Sequence, residues 1–324
     1  DINQLNPIRY GRPFEDLINS KCVEIHKLNK ILRIKGESTD PIIVNSTNIV
    51  HSNMYSPIAG SNFGIYPKGD LQQTIRSIVQ YYNVSLDNIK NNKFITYTND
   101  DATELNYILS NMINCYNNQF KIILTNTNRK DSNGNKSLIR LKYSVGDPVI
   151  FTKNHVYPEV SNGCEGKISG FIHDGLNYML VDIENPKDIE NPKVIRIPLY
   201  PSKNSNDFYI KHVSLSYAIT VYKSQGSEWN NVYFYINGLP SKKRLNKRLA
   251  YTAITRSKEI CLIIESNNGL FENTCRTDIN CHYSGLQDRI RKDNISVLNN
   301  TNSQIQNINN MMKNINLTGN IVFN

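Results

Sequence analysis

Ser216-Tyr217-Ala218-Ile219-Thr220-Val221-Tyr222-Lys223-Ser224-Gln225-Gly226-Ser227-Glu228 is the stretch that decides the fold class. Tyr217, Ile219 and Val221 alternate with Ala218 and Thr220, the pattern of a short buried strand. The strand stops at Lys223-Ser224-Gln225-Gly226, where a cation, a hydroxyl, an amide and a glycine follow one another. Gly226 allows a tight turn or a close approach to a ligand. Lys223 and the hydroxyls of Thr220 and Ser224 suit phosphate oxygens, and Glu228 offers an acceptor for a ribose hydroxyl. Open α/β sheets place ligands where strands end in such loops. The bland alternative is an ordinary strand-to-helix connection with a solvated lysine.

A second segment weighs against that alternative. Arg248 to Lys258 is a helix-like run, and the apolar strand Ile260 to Ile264 follows it, so Arg256 stands just ahead of a strand of the same sheet. The two segments resemble motifs V and VI of superfamily 1 helicases of the RecD-like branch, whose usual forms are YAITVHKSQGSE and YTAITRAK. Tyr222 departs from the pattern, which has histidine there. The resemblance implies an α/β fold: a RecA-like second motor domain, a parallel sheet flanked by helices.

Working outward, Asp1 to Ile8 resembles motif III (GD-x-x-QLPP) without its glycine and with Asn6 for the first proline. Gly11 to Leu17 continues the pattern into a helix. Residues 1–20 are thus expected to be the end of a first RecA-like domain, with 21–142 opening the second. Val23 to Ile34 reads as a strand turning into a helix. It resembles motif IV, from which only Arg33 survives. A helix is expected over Asp40 to Met54, with Ile42, Ile43, Ile49 and Val50 as its buried face, then a loop over Asn53 to Gly69 and a helix over Leu71 to Tyr82. Lys93 to Thr98 reads as a strand leading into a helix capped by Asn99 or Asp100. The family carries a similar T-N–helix–LN element, here Thr98-Asn99 and Leu105-Asn106.

From Tyr143 the pattern becomes short strands and turns. Gly146-Asp147 with Val149 and Asn154, and Asn162-Gly163 with Gly166, match the signatures GD-x-V-x-x-x-x-N and NG-x-x-G. In RecD-like helicases these mark an inserted SH3-like β-barrel, expected here over 143–210 and flanking the single-strand path, with Lys153 and Lys167 near it. Residues 211–266 complete the second domain. The asparagine-rich tail, 267–324, buries too little to offset its ordering entropy and is expected to be poorly ordered or loosely helical.

Composition bounds the partners. At 324 residues the chain has room for two domains, and its net charge of +9 favours a polyanion. No apolar run approaches the ~20 residues of a membrane span, and no secretory leader is seen, so no membrane partner is expected. The six cysteines are scattered. Cys275 with Cys281-His282 is the only close group, and without a second paired set no metal site is expected. The setting implied is intracellular, in cytoplasm, nucleus or a virus.

No G-x-x-x-x-G-K-S/T occurs in these residues. The chain therefore reads as the C-terminal half of a motor, motifs III to VI, whose upstream half is a partner in the same or another polypeptide. The resemblance implies ATP-driven movement along single-stranded DNA, 5′ to 3′, with ATP and Mg2+ held mainly by that other half. It implies Arg256 as arginine finger, Arg33 assisting, Gln4 coupling the phosphate to the DNA site, and Gly226 and Glu228 at the nucleotide. Thr220, Tyr222, Lys223, Ser224, Gln225, Thr98, Asn99 and Asn154 would face DNA, Tyr222 by stacking on a base. Two alternatives stand beside this: an RNA helicase of the same superfamily, and a non-catalytic half-motor that binds nucleic acid.

Overall fold

The computed structural model describes residues 1–6, 11–26, 38–51, 55–67, 69–130, 136–154, 160–185, 188–200, 209–238, 245–277 and 285–317. In chain order these form α1 (Pro13–Ser20), α2 (Pro41–His51), β1 (Phe63–Tyr66), α3 (Leu71–Tyr81), β2 (Asn92–Thr96), α4 (Asn99–Ile113), β3 (Phe120–Lys130), β4 (Lys136–Ser144), β5 (Pro148–Phe151) and β6 (Glu165–Asp174). Next come β7 (Leu176–Asn185), β8 (Asp188–Pro198), β9 (Val213–Leu215), β10 (Ala218–Thr220), β11 (Trp229–Ile236), α5 (Lys247–Ile254), β12 (Ser257–Glu265), α6 (Leu270–Arg276) and α7 (Leu286–Leu317). The chain divides into two compact units, Asp1–Ile31 with Ile279–Asn324, and Leu32–Asp278.

The larger unit is built on a five-stranded parallel sheet in the order β1-β12-β11-β2-β10. The inner strands are continuous apolar runs, as burial on both faces of a parallel sheet requires: Val232 to Ile236 and Cys261 to Ile264 are all buried. α4 packs on β2 and β10, while α2, α5 and α6 pack around β11 and β12. Between β2 and β10 the chain makes two further sheets. β3 and β4 form a two-stranded antiparallel ribbon. β5 to β8 form an antiparallel meander to which β9 returns beside β5, giving the order β8-β7-β6-β5-β9. One apolar core joins the sheets: Phe94, Leu105, Tyr217 and Tyr233 from the parallel layer meet Val149, Phe151, Ile168 and Val181 from the meander.

The glycines of the meander have physical reasons. A Cβ on Gly166 would lie 2.6 Å from Val181 Cγ1 and 2.8 Å from the Asp182 carbonyl oxygen, so β6 can approach β7 only with glycine there. Gly146 turns at φ +92°, in the left-handed region.

In the smaller unit, Pro13 starts α1 and Lys21, at φ 58°, ends it. Arg291 Nη2 donates to the Asn19 carbonyl at 2.8 Å and Gln287 Nε2 to the same oxygen at 3.3 Å, so α7 satisfies the end of α1.

Several expectations change. Asn53 to Gly69 is not all loop: β1 lies inside it, hidden in sequence by its glycine and proline neighbours. α4 is capped by Thr98, whose hydroxyl accepts from the Asp101 amide at 3.0 Å, and not by Asn99 or Asp100. Asn45 and Ser46 share the buried face of α2 with Ile42 and Ile49; Asn45 Nδ2 binds the Pro41 and Ile58 carbonyls, and its Oδ1 accepts from Tyr55 and the Ile58 amide. No regular element occupies Val23 to His26, in place of the expected strand. Of the two expectations for the tail, the helical one matches α7, which runs from Leu286 to Leu317; Leu286 and Ile290 at helical spacing start it beside α1.

Candidate functional site

Register places the ends of the strands. Thr220 on β10 is level with Thr96 on β2, and Thr96 is level with Tyr235 near the end of β11. Trp229, which opens β11, is level with Ser257, which opens β12. The segment Val221 to Glu228 therefore leaves the C-terminal edge of the sheet and reaches the N-terminal edge, passing β2. It carries functional residues to two edges.

At the N-terminal edge stands Arg256, 1% exposed and the largest fully buried side chain. Its Nε donates to the Thr252 carbonyl at 3.0 Å, Nη1 to the Ser227 carbonyl at 3.1 Å and Nη2 to Thr255 Oγ1 at 3.3 Å. The guanidinium thus fastens the end of α5 to the crossover, and the Trp229 amide donates to the Arg256 carbonyl at 2.9 Å. Glu228 forms an ion pair with Lys258. Both are about one-third or more exposed, so the pair adds little stability of its own. Gly226, at φ +86° with open space where a Cβ would stand, shapes the exposed turn Gln225 to Glu228. Arg256, Gly226 and Glu228 are brought together, but at the edge opposite to the one expected of a strand-end loop.

The C-terminal edge gathers Tyr222, Thr220, Lys223, Tyr97, Thr98 and Asp101. The rings of Tyr222 and Tyr97 lie 6.4 Å apart at 47°. Thr220 is buried and its hydroxyl accepts from the Lys223 amide at 3.3 Å, which holds the first turn after β10. Lys223 is mostly buried, and desolvation lowers its pKa from the ordinary lysine value. Thr98 donates to Asp101 Oδ2 at 2.6 Å, and Asn237, just past β11, donates to Asp101 Oδ1 at 3.1 Å. Ser224 is buried, with its hydroxyl donating to the Val221 carbonyl at 2.8 Å. That hydroxyl shapes the turn, whereas the exposed Gln225 and Asn99 face solvent.

Three buried polar groups fix where β10 enters this edge. Asn106 on α4 donates to the Leu215 and Ala218 carbonyls, both at 2.9 Å, and accepts from the Ala218 amide at 2.8 Å. Asp147 accepts from Tyr217 Oη at 2.7 Å, Asn114 Nδ2 at 2.5 Å and the Ser144 amide at 2.7 Å. Burial raises the Asp147 pKa, and these donors pull it back. Lys93 Nζ lies 2.7 Å from both Glu165 Oε1 and the Ser216 carbonyl and 5.2 Å from the Trp229 ring centre. Sequence reasoning gave these residues no role at the site, although Asn106 and Asp147 stood in the quoted LN and GD signatures. Lys93 carried no signal beyond a cation in an apolar strand.

The remaining expected residues are in other parts of the chain. Asn154 Oδ1 accepts from the Asn162 amide at 2.9 Å, closing the loop between β5 and β6. Gln4 belongs to the smaller unit, its amide donating to the Asp1 carbonyl at 3.3 Å. Arg33, Cys281 and His282 lie outside the described residues. Cys275 is buried, which pushes its thiol well above the ordinary range. Among the described residues no cluster of His, Cys, Asp and Glu could hold a metal ion, and no helix is long and apolar enough to cross a membrane.

Residues 215–264 match the UvrD-like helicase C-terminal domain. This span holds β10, the crossover, β11, α5 and nearly all of β12. RecD, a subunit of the RecBCD enzyme of Buchnera aphidicola subsp. Acyrthosiphon pisum (strain APS), is 29% identical over 161 residues, covering 48% of this chain and 24% of that protein. The chain thus spans about a quarter of that relative. Pif1 helicase from Bacteroides, solved with ADP-AlF3 and single-stranded DNA, is 16% identical with a TM-score of 0.46, covering 86% of this chain and 63% of that one. Pif1 helicase from Candida albicans gives 16% identity and a TM-score of 0.43, covering 85% and 60%. Likenesses this distant support no transfer of residue roles.

Proposed function

We propose that this chain, which carries the C-terminal part of a superfamily 1 helicase, supplies the RecA-like second half of an ATP-driven DNA translocase. The observation that carries the reading is the crossover Val221 to Glu228. One short segment brings Glu228 and Gly226 to one edge of the sheet, where Arg256 is bonded to its Ser227 carbonyl, and leaves Tyr222 and Lys223 at the other. A motor needs such a connection between a phosphate-sensing edge and a strand-gripping edge.

The residues present fit part of a nucleotide. Lys258 stands beside the exposed turn at 225–228 with Arg256 buried beneath it, and positive charge there would stabilise charge developing on a terminal phosphate once Arg256 exchanged its bond to the Ser227 carbonyl for one to the phosphate. ATP with Mg2+ would supply the hydrolytic free energy, and its phosphate cradle would come from the upstream motor half. Arg256 would act as the finger, Glu228 would contact the sugar, and Gln4 and Arg33 would join them. At the other edge, Tyr222 and Tyr97 offer aromatic faces to bases and Lys223 a cation to phosphate. Thr98, Asn99 and Gln225 would line the same strand path, Ser224 would support it from within, and the meander β5 to β9 would flank it as an SH3-like barrel with Asn154 at its rim. Movement would be 5′ to 3′, in repair or replication, inside the cell.

The test is binding of fluorescent single-stranded oligonucleotides, DNA and RNA, to this chain and to its Tyr222→Ala and Lys223→Gln variants. The expected result is salt-sensitive binding that favours DNA and weakens in both variants, by about 1–3 kcal/mol for loss of one stacked base. Tighter binding of RNA would turn the assignment to RNA, and unchanged binding by both variants would remove the C-terminal edge from the strand path.

A further inference from the structure

Arg256 is withdrawn further than its proposed role allows. A finger must reach an incoming phosphate, yet this side chain is almost fully buried and its nitrogens donate to Thr252, Ser227 and Thr255. Thr252 lies in α5 and Thr255 is its C-terminal cap, so these two acceptors belong to the element that carries the arginine. The third acceptor belongs to the crossover. All four residues Gln225 to Glu228 are exposed, so the Ser227 carbonyl is the one of the three that an exposed segment supplies.

That segment is fixed at its ends and jointed between them. The Ser227 amide donates to the Ser224 carbonyl at 3.0 Å, closing a four-residue turn whose third residue is Gly226 at φ +86°, the position at which a type II turn takes glycine. Behind the turn, buried Ser224 is bonded to the Val221 carbonyl. Ahead of it, the Trp229 amide is tied to the Arg256 carbonyl. The outer fastening of Ser227 and Glu228 is the ion pair between Glu228 and Lys258. Lys258 lies on β12, which has β1 on one side and β11 on the other. The lysine backbone is therefore the fixed post, and Glu228 is the partner free to swing. An ion pair this exposed is weak, and salt screens it.

We infer that Ser227 and Glu228 form a latch over Arg256, held shut by the Glu228–Lys258 pair and opened by a nucleoside polyphosphate. The inference rests on the reading that Arg256 serves a terminal phosphate, and it adds what releases the arginine. The opening is an exchange of partners. A phosphate oxygen competes with the Glu228 carboxylate for Lys258, and a sugar hydroxyl offers that carboxylate a donor. As Glu228 swings outward, pivoting at Gly226, the Ser227 carbonyl leaves Nη1. The guanidinium then presents its fork of N–H groups to the phosphate. Glu228 and Lys258 are thus positioning residues for Arg256.

The test is modification of the whole chain by phenylglyoxal, a neutral arginine reagent, read by peptide mass spectrometry at Arg256 with the exposed Arg76 as internal standard. In the unaltered chain Arg256 should react far more slowly than Arg76, and faster as salt rises from about 0.05 to 1 M. Glu228→Gln and Lys258→Met should each speed reaction at low salt by about two- to fivefold, the factor an exposed ion pair supplies, and abolish the salt response. The exchanged pair Glu228→Lys/Lys258→Glu should restore slow, salt-sensitive reaction. Opening a short turn exposes little surface, so the rate should not respond to low urea, as it would if general unfolding exposed the arginine. Trp229, the one tryptophan, follows the latch in sequence, and millimolar ATP should change its emission. The inference is overturned if Arg256 reacts as fast as Arg76 in the unaltered chain, if neither single variant speeds reaction, if the exchanged pair does not restore protection, or if ATP leaves the emission unchanged. Any of these beside intact single-strand binding would strike the latch alone. Absence of strand binding beside an intact latch signature would strike the functional reading and the nucleotide's part in opening with it.

Discussion

Replacing Tyr217 by phenylalanine removes one hydroxyl from a place with no water to take over its role. Tyr217 and Asp147 are both 0% exposed, and the Oη–Oδ1 distance is 2.7 Å. Hydrogen bonds to charged groups contribute about 1.5–3 kcal/mol, so Tyr217→Phe should cost roughly 2 kcal/mol. For a unit of this size that lowers Tm by about 4–8 °C. The pH dependence adds a second check. Burial raises the folded-state pKa of Asp147 above its ordinary 3.8. The stability contributed by this group is therefore complete below 3.8 and is lost as pH rises through the raised value. Removing a donor raises that pKa further, so the gap between variant and parent should be widest at neutral pH and narrow towards pH 4. Urea denaturation at pH 7 and near pH 4, followed by tyrosine and tryptophan fluorescence, measures both. A gap below about 0.5 kcal/mol at pH 7, or one that widens in acid, would refute the view that Asp147 is a buried charge held by these donors.

Other outcomes follow from the same geometry. Asn106→Ala strips three hydrogen bonds from the backbone entering β10 and should cost about 3 kcal/mol, with single-strand binding weakened even where the variant stays folded; denaturation and anisotropy read the two effects. Gly226→Ala meets no neighbour but must hold φ +86°, so a loss of about 1–2 kcal/mol from backbone strain alone is expected in a thermal melt. Arg256→Lys cannot reproduce a fork that reaches both Thr252 and Ser227. It should lower stability by about 2 kcal/mol, and, in a complete motor, hydrolysis by far more than binding of a fluorescent ATP analogue.

The strand at 218–220, the helix before Arg256 and the strand after it were legible because apolar runs and their end signals agree locally. Strands of the meander were legible at 178–183 and 194–199 because apolar and β-branched residues alternate there, whereas Gly146-Asp147 and Asn162-Gly163 spoke only through a resemblance, and the barrel they implied remains a proposal. The ribbon escaped: Lys121, Arg140 and Lys142 interrupt its alternation, and half of its surface has no core to face. The burial of Arg256 also escaped, because an arginine whose donors go to backbone carbonyls looks in sequence like any exposed one. Ser224 was placed at the DNA for its hydroxyl, yet the tightness of the turn draws that hydroxyl inward to Val221. The separation of the site into two edges depends on register, and register is set by pairings between strands more than 100 residues apart.

The sheet order has a consequence for synthesis. β1 sits at the sheet margin with β12 as its neighbour, Phe63 level with Cys261. Parallel pairing at such separation is slow, since loop closure must precede any gain. On the ribosome, β1 emerges about 200 residues before its partner, which at 5–20 residues per second leaves it unpaired for roughly 10–40 s. Through that interval Phe63-Gly64-Ile65-Tyr66 is an open template for another nascent chain, and a chaperone that covers short apolar segments would raise the yield of folded protein.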